Sequence, residues 1–286
     1  QQNIDYLKII KLLESYAFKI FQVSNGQANT GDTVLYKLAF KVLYSKITPE
    51  DACSEINSKI IQYYRFQEFK NQMQALFEKK QGFYHWDGLR YYLFEYDEKL
   101  RTDNRIFASN TRLNWADLAE KDFRQRKTIE HIYPQSATKN YIDYCSDTDS
   151  RKKKVGYEKL QKDWAAFSSY SEEERVRLCH SLGNLLPISN SDNASFSNDK
   201  FLCKVDQSNK GDQYKNRGYR FDSMSAQIVA KEIDWTPESI KNRGLLMLNY
   251  FLELLGENLA IMNENEKINL LGLGFLIEND LSGTKQ

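Results

Sequence analysis

Three histidines stand in this chain of 286 residues, at positions 85, 131 and 180. Imidazole is the side chain best matched to taking up a proton near neutral pH. His131 has the neighbours such chemistry asks for. The run Thr-Ile-Glu-His-Ile-Tyr alternates, is rich in β-branched residues and stops at Pro134, which predicts a short strand over 128–135. Glu130 offers a hard carboxylate oxygen suited to a divalent cation, and the adjacent imidazole stays free to act as a base. Successive strand residues face opposite ways, so this pair can serve one site only where the strand twists or ends. His85, beside Trp86 in an aromatic run, reads as structural. His180 follows Cys179 at a helix end, placed to contact the site or to cap the last carbonyls.

A second segment, GNLLPISNSDNASFSNDKF, carries Asn184, Asn190, Asn193 and Asn198, with Lys200. GNLLPISNS reads as a second short strand or extended segment running into a turn, and residues 192–203 as a short helix. An Asn side chain can tie backbone groups across a loop or offer a carbonyl oxygen to a cation. For Asn190 and Asn198 ordinary turn chemistry is enough.

The order EHIYPQS, GNLLPI and then Asn193 resembles the HNH (His-Me finger) nuclease motif, a ββα unit around one metal. The spelling TIEHIYPQ with HSLGNLLPI and a downstream Lys is similar to the C-terminal nuclease domain of GmrSD-type modification-dependent restriction enzymes, and to the nicking component of Ssp phage defence. RYYLFEYDEKL upstream and the run from Trp235 to Arg243 extend the resemblance to roughly residues 85–255. It implies a DNA endonuclease using one divalent cation, Mg²⁺ or Mn²⁺. His131 would be the general base, Asn184 the residue that ties the loop and orients it, and Glu130 and Asn193 the metal ligands. Lys200, His180, Arg151 and Lys152 would contact phosphate. It also implies double-stranded DNA as substrate, modified or phage-derived, and an upstream NTPase and sensor domain in the same longer protein. The chain itself holds no GxxxxGK[ST] loop, and its opening on Gln suits the C-terminal part of something longer.

Two features depart from compact HNH units. Fifty-two residues separate His131 from Asn184, which predicts a helical insertion. The four cysteines, at 53, 145, 179 and 203, form no CxxC pair, so no structural zinc is expected and the helical surround must hold the site.

Those surroundings read as helices. Four Pro and 13 Gly are few breakers. Residues 4–23 place Ile4, Leu7, Ile10, Leu13, Ala17 and Ile20 at helical steps. Thr48 with Pro49, and Thr236 with Pro237, mark helix starts. Leu245, Leu246, Leu248, Phe251, Leu252 and Leu255 form a wide apolar stripe read as core. Residues 136–150 are polar and read as a loop. The expected fold is mainly α with a small embedded ββα-metal unit, in the α+β class. The expected organisation is a helical domain over 1–115, the nuclease core with its insertion over 116–205, and a C-terminal helical region over 206–286 packing on the core.

Composition bounds the rest. The chain is 41% hydrophobic and 28% charged, with 38 aromatic residues, which excludes disorder as its main character. No apolar run is long enough to cross a membrane, no signal peptide is visible, and the cysteine usage suits a cytoplasmic protein. Net charge is +1, yet residues 121–220 hold 19 Lys and Arg against 14 Asp and Glu; this makes the middle the candidate anion-facing part, although charge alone reads there as a solvated, mixed-sign surface. Two other classes compete with the nuclease: a catalytically inactive module of the same fold that binds DNA or a partner, and a helical interaction domain in which the motif is accidental. A helix over 128–135 would select the last.

Overall fold

The computed structural model describes residues 2–105, 112–119, 129–146, 153–188, 196 and 198–277. Of the residues singled out above, Arg151, Lys152, Asn190 and Asn193 lie outside the described residues.

The chain divides into two compact units, Gln1–Ala75 and Leu76–Gln286. The first contains α1 (Gln2–Ala17), which continues as a π-helical turn over Phe18–Val23, then α2 (Asp32–Leu43), α3 (Pro49–Tyr63) and most of α4 (Phe66–Glu78). α3 begins at the expected place. Asp51 N donates to Thr48 Oγ1, Thr48 N donates back to the Asp51 carboxylate, and Pro49 takes the first helical position. The core of this unit is Tyr16, Ile20, Leu38, Ile56 and Ile60, with Ile9 and Leu12 packed against it. Leu7, Ile10 and Leu13, members of the expected stripe, are exposed instead. α1 carries two adjacent apolar stripes of helical period, and only packing against α2 and α3 selects the one through Ile9, Leu12, Tyr16 and Ile20.

The second unit holds α5 (Leu89–Asp103), α6 (Trp115–Ala119), β1 (Ile129–His131), α7 (Tyr141–Ser146), α8 (Lys153–Asp163), α9 (Glu172–His180), β2 (Leu185–Pro187), α10 (Phe201–Val205), α11 (Met224–Val229), α12 (Pro237–Leu255) and α13 (Glu264–Leu270). The fold is thus mainly α with one small sheet, of the α+β class. β1 and β2 pair antiparallel, Ile129 facing Pro187, Glu130 facing Leu186 and His131 facing Leu185. Residues 129–131 being a strand removes the accidental-motif reading. The polar stretch expected as loop contains α7, started by Asn140, whose Oδ1 accepts from Asp143 N. Within the second unit the turn Gly82–His85 meets the end of α9, and α5 packs against β2, α11 and α12.

Two strands of three residues are not stable alone. α12 supplies the support. It starts at Thr236 with a capping box and Pro237 in first position, ends at Gly256 in the left-handed region, and buries Ile240, Arg243, Gly244, Met247, Leu248 and Phe251. Its backbone meets the turn Leu182–Asn184 that leads into β2: a Cβ added at Gly183 would lie 2.0 Å from Ile240 O and 2.8 Å from Gly244 N. Arg243 crosses the same contact, donating from Nη1 to Gly183 O (2.7 Å) and Leu185 O (3.0 Å). Among the described residues no helix is long and apolar enough to cross a membrane.

Gly183→Ala should therefore push α12 off the sheet and destabilise the second unit by about 1–3 kcal/mol, the usual cost of overpacking. Urea unfolding reads this directly, and an unchanged midpoint would refute the close approach.

Candidate active site

The register of β1 separates its two functional side chains. Glu130 and His131 are both buried, and successive strand residues point to opposite faces. On one face, Glu130 Oε1 accepts from Lys204 Nζ at 2.7 Å and from the Tyr219 hydroxyl at 3.1 Å. Lys204, on α10, is itself fully buried, and its remaining donors go to His131 O and Ile132 O, each at 3.0 Å. Three oxygen acceptors thus satisfy the three ammonium donors. Burial pushes the Glu130 carboxyl above its ordinary range, while the charge of Lys204 and the bonds from Lys204 and Tyr219 pull it back.

The imidazole of His131 lies among aromatic rings. Its Nε2 is 3.2 Å from His180 Nδ1. The Tyr84 ring is tilted against it at 4.4 Å between centroids and stacks on His180 at 5.7 Å. His85 completes the group, 6.5 Å from His180 between ring centroids. All three histidines of the chain therefore meet here. Burial, followed by the charges of His180, Lys204 and His85, holds His131 well below the usual imidazole range, so it is neutral at physiological pH. Burial and then His85 lower His180 to about 4.

Asn184 holds the chain on either side of these rings. It is fully buried. Its Oδ1 accepts from Tyr133 N (2.8 Å) and Trp235 Nε1 (3.1 Å), and its Nδ2 donates to Tyr133 O and Cys179 O, both at 2.9 Å. Its backbone carbonyl accepts from Ile132 N at 3.0 Å, prolonging the pairing beyond His131. The Tyr133 ring stacks on Phe167 at 3.8 Å, which fixes the strand exit.

The family comparison covers the whole of this arrangement. Residues 67–250 match the family described as GmrSD restriction endonucleases, C-terminal domain. The chain belongs to this family. No curated protein and no solved structure matches it. As a GmrSD C-terminal domain it is a restriction-endonuclease domain, and both β-strands and all the side chains described above lie within the matched stretch.

The structure brings together His131, Asn184 and His180 and does not bring Glu130 to the imidazole. Glu130 was expected as a metal ligand beside His131; its carboxylate instead faces Lys204 and Tyr219, because adjacent strand residues diverge. His180 was expected to contact phosphate. In the structure its Nδ1 lies 3.2 Å from His131 Nε2. Lys200 is exposed at the N-cap of α10, one turn before the lysine that reaches the strand. Asn193, the second expected ligand, and Arg151 and Lys152 fall outside the described residues.

Sequence reasoning passed over Lys204, Tyr219 and Tyr84, read His85 as structural, and used Trp235 only for the resemblance. For Lys204 a signal existed: a lone lysine inside the apolar run FLCKV. For the aromatic residues none did, since their partners are remote in sequence.

One group among the described residues could hold a metal ion by donor type: His131, Cys179 and His180, with ligand atoms within 4.8 Å of one another. This nitrogen and sulfur set suits a softer ion than Mg²⁺, which takes oxygen ligands. The Cys179 thiol is buried, its pKa is pushed up by that burial, and it donates to Tyr133 O at 3.5 Å. Mg²⁺ usually takes only one or two protein carboxylates beside waters and substrate phosphates, and Asn193, the second expected ligand, lies outside the described residues.

Removing one partner of a buried ion pair costs about 3–5 kcal/mol, whereas replacing both with neutral groups is close to balanced. Lys204→Met should lower stability by roughly that amount, and Glu130→Gln with Lys204→Met should regain most of it. Chemical denaturation of the two variants checks this, and equal midpoints for Lys204→Met and the unaltered protein would remove Lys204 from its supporting role. Titration gives a second expectation. His180 has a folded pKa of about 4, below its unfolded value of ~6.5. The unfolded chain therefore takes up the proton first on acidification. The stability tied to His180 is fully present above ~6.5 and is lost as pH falls towards 4. Melting curves across that window should slope less in His180→Asn.

Proposed function

We propose that this GmrSD C-terminal domain cuts double-stranded DNA by HNH-type chemistry, with His131 as the general base. One observation carries the reading. A buried imidazole stands at the end of a short antiparallel strand pair, and the loop leaving it is tied down by a fully satisfied Asn184. In this reading His131 takes a proton from water as its oxygen attacks phosphorus, and the 3′ oxygen leaves. General-base assistance of this kind contributes about 10²- to 10⁴-fold in rate. Asn184 and Lys204 hold the backbone of residues 131–133, so that little reorganisation accompanies the proton transfer. Dependence on Mg²⁺ or Mn²⁺ belongs to the proposal, and no step is routed through the ion.

The reading extends to an anti-phage restriction protein of the cytoplasm. There an NTPase and sensor region of a longer chain would choose modified or phage DNA, and this domain would nick or cut it.

A second reading, a catalytically inactive HNH-fold module that binds DNA or a partner, is favoured by one observation: the Glu130 carboxylate is committed to Lys204. Supercoiled plasmid separates the two. The active domain should nick it with Mg²⁺ or Mn²⁺ and stop in EDTA, while His131→Ala should lower the rate at least about 100-fold and keep DNA binding. A folded domain that binds plasmid but leaves it intact in every metal would select the binding module. Full activity of His131→Ala would assign the base elsewhere.

A further inference from the structure

We propose that His180 is the positioning residue of the site: it fixes the ring and the tautomer of His131 and leaves Nδ1 as the atom that takes the proton. The inference rests on His131 being the base and adds how that base is set.

The pair of imidazole nitrogens 3.2 Å apart, His131 Nε2 and His180 Nδ1, has room for one hydrogen between them. If His180 carried it, the Nε2 lone pair of neutral His131 would be used up and its Nδ1 would bear the other proton, leaving no free lone pair. If His131 carries it, Nδ1 is the free lone pair and His180 Nδ1 is the acceptor. Only the second arrangement makes a base, so the partner that accepts decides whether His131 can act.

His180 is built to hold still. It ends α9, and the peptide preceding it is tied to the His131 loop, because Cys179 O accepts from Asn184 Nδ2 while Asn184 also grips both backbone groups of Tyr133. On its other side lies the turn Gly82–His85. Gly82 has φ +51°, and a Cβ there would lie 2.8 Å from His180 O and 2.9 Å from His180 Cβ, so the turn backbone presses directly on the helix end. Tyr84, from the same turn, covers both imidazoles. The two rings, the helix end and the turn therefore form one braced unit, joined side chain to side chain by the nitrogen pair. A phosphate ligand or a simple helix cap would need neither this contact nor this brace.

The test combines a spectrum with a rate. In protein carrying ¹⁵N-labelled histidine, two-bond ¹H–¹⁵N correlations report which nitrogen of His131 is protonated. The expected result is an Nε2–H tautomer. His180→Phe, which removes the acceptor, should mix the tautomers and lower nicking on the order of 10- to 100-fold in kcat rather than KM. His180→Asn, whose Oδ1 can stand where Nδ1 stood, should recover most of the tautomer bias and of the rate. An Nδ1–H tautomer in the unaltered protein would overturn the proposal, as would a His180→Phe protein with unchanged tautomer and rate. If His180→Phe does not fold, the unaltered spectrum and His180→Asn still decide. If His131→Ala nicks normally while the Nε2–H tautomer is present and lost in His180→Phe, the general-base reading fails and the positioning contact stands.

Discussion

Everything around the imidazole depends on one buried amide. Asn184 spends all four of its side-chain hydrogen-bonding positions on three distant pieces of chain: Tyr133 after β1, Cys179 near the end of α9, and Trp235 just ahead of α12. A buried polar group left unpaired costs about 1–3 kcal/mol, so any movement of one piece leaves bonds to the other two badly placed. The amide thereby couples the strand that carries His131, the helix end that carries His180 and the long helix that supports the sheet. Gly183, immediately before it, lets the α12 backbone come close enough for that coupling to form.

The second organising fact is the pleat. Because neighbouring strand residues point apart, Glu130 and His131 live in different electrostatic surroundings although they are adjacent in sequence. Glu130 sits in an ionic pocket with Lys204 and Tyr219, while burial, and then the charges of His180, Lys204 and His85, disfavour protonation of His131. Lys204 links the two faces, since its ammonium also holds the carbonyls of His131 and Ile132. The pair gains less net stability than its short contact suggests, because desolvation of both charges offsets their attraction. It pins the strand exit with a charge that no apolar residue could replace in geometry.

A restriction endonuclease domain with so small a sheet needs its helices. Two strands of three residues bury too little to persist alone. The 53-residue excursion between them returns the chain to β2 through α9 and the Leu182–Asn184 turn. The excursion is thus a structural part of the site, since it delivers His180 and Cys179 to the strand it left.

Sequence by itself determined what is local. Thr48 with Pro49 and Thr236 with Pro237 are caps whose partners lie three residues away, and both helices begin where those residues stand. The β-branched alternation around His131 and the GNLLP segment marked both strands, because a strand advertises itself through its own side chains. The motif residues also carried the family, which the match over 67–250 shows. Tertiary structure alone decided what faces what. α1 offered two apolar stripes and packing chose one. Lys204 reaches Glu130 across 74 positions and His180 reaches His131 across 49, and no periodicity encodes such pairs. His85 comes within ring distance of His180 only because the Gly82–His85 turn packs on the end of α9. The physical reason is the same throughout: propensity and capping act within a turn or two of helix, whereas burial and charge pairing act between whichever surfaces the finished fold brings together.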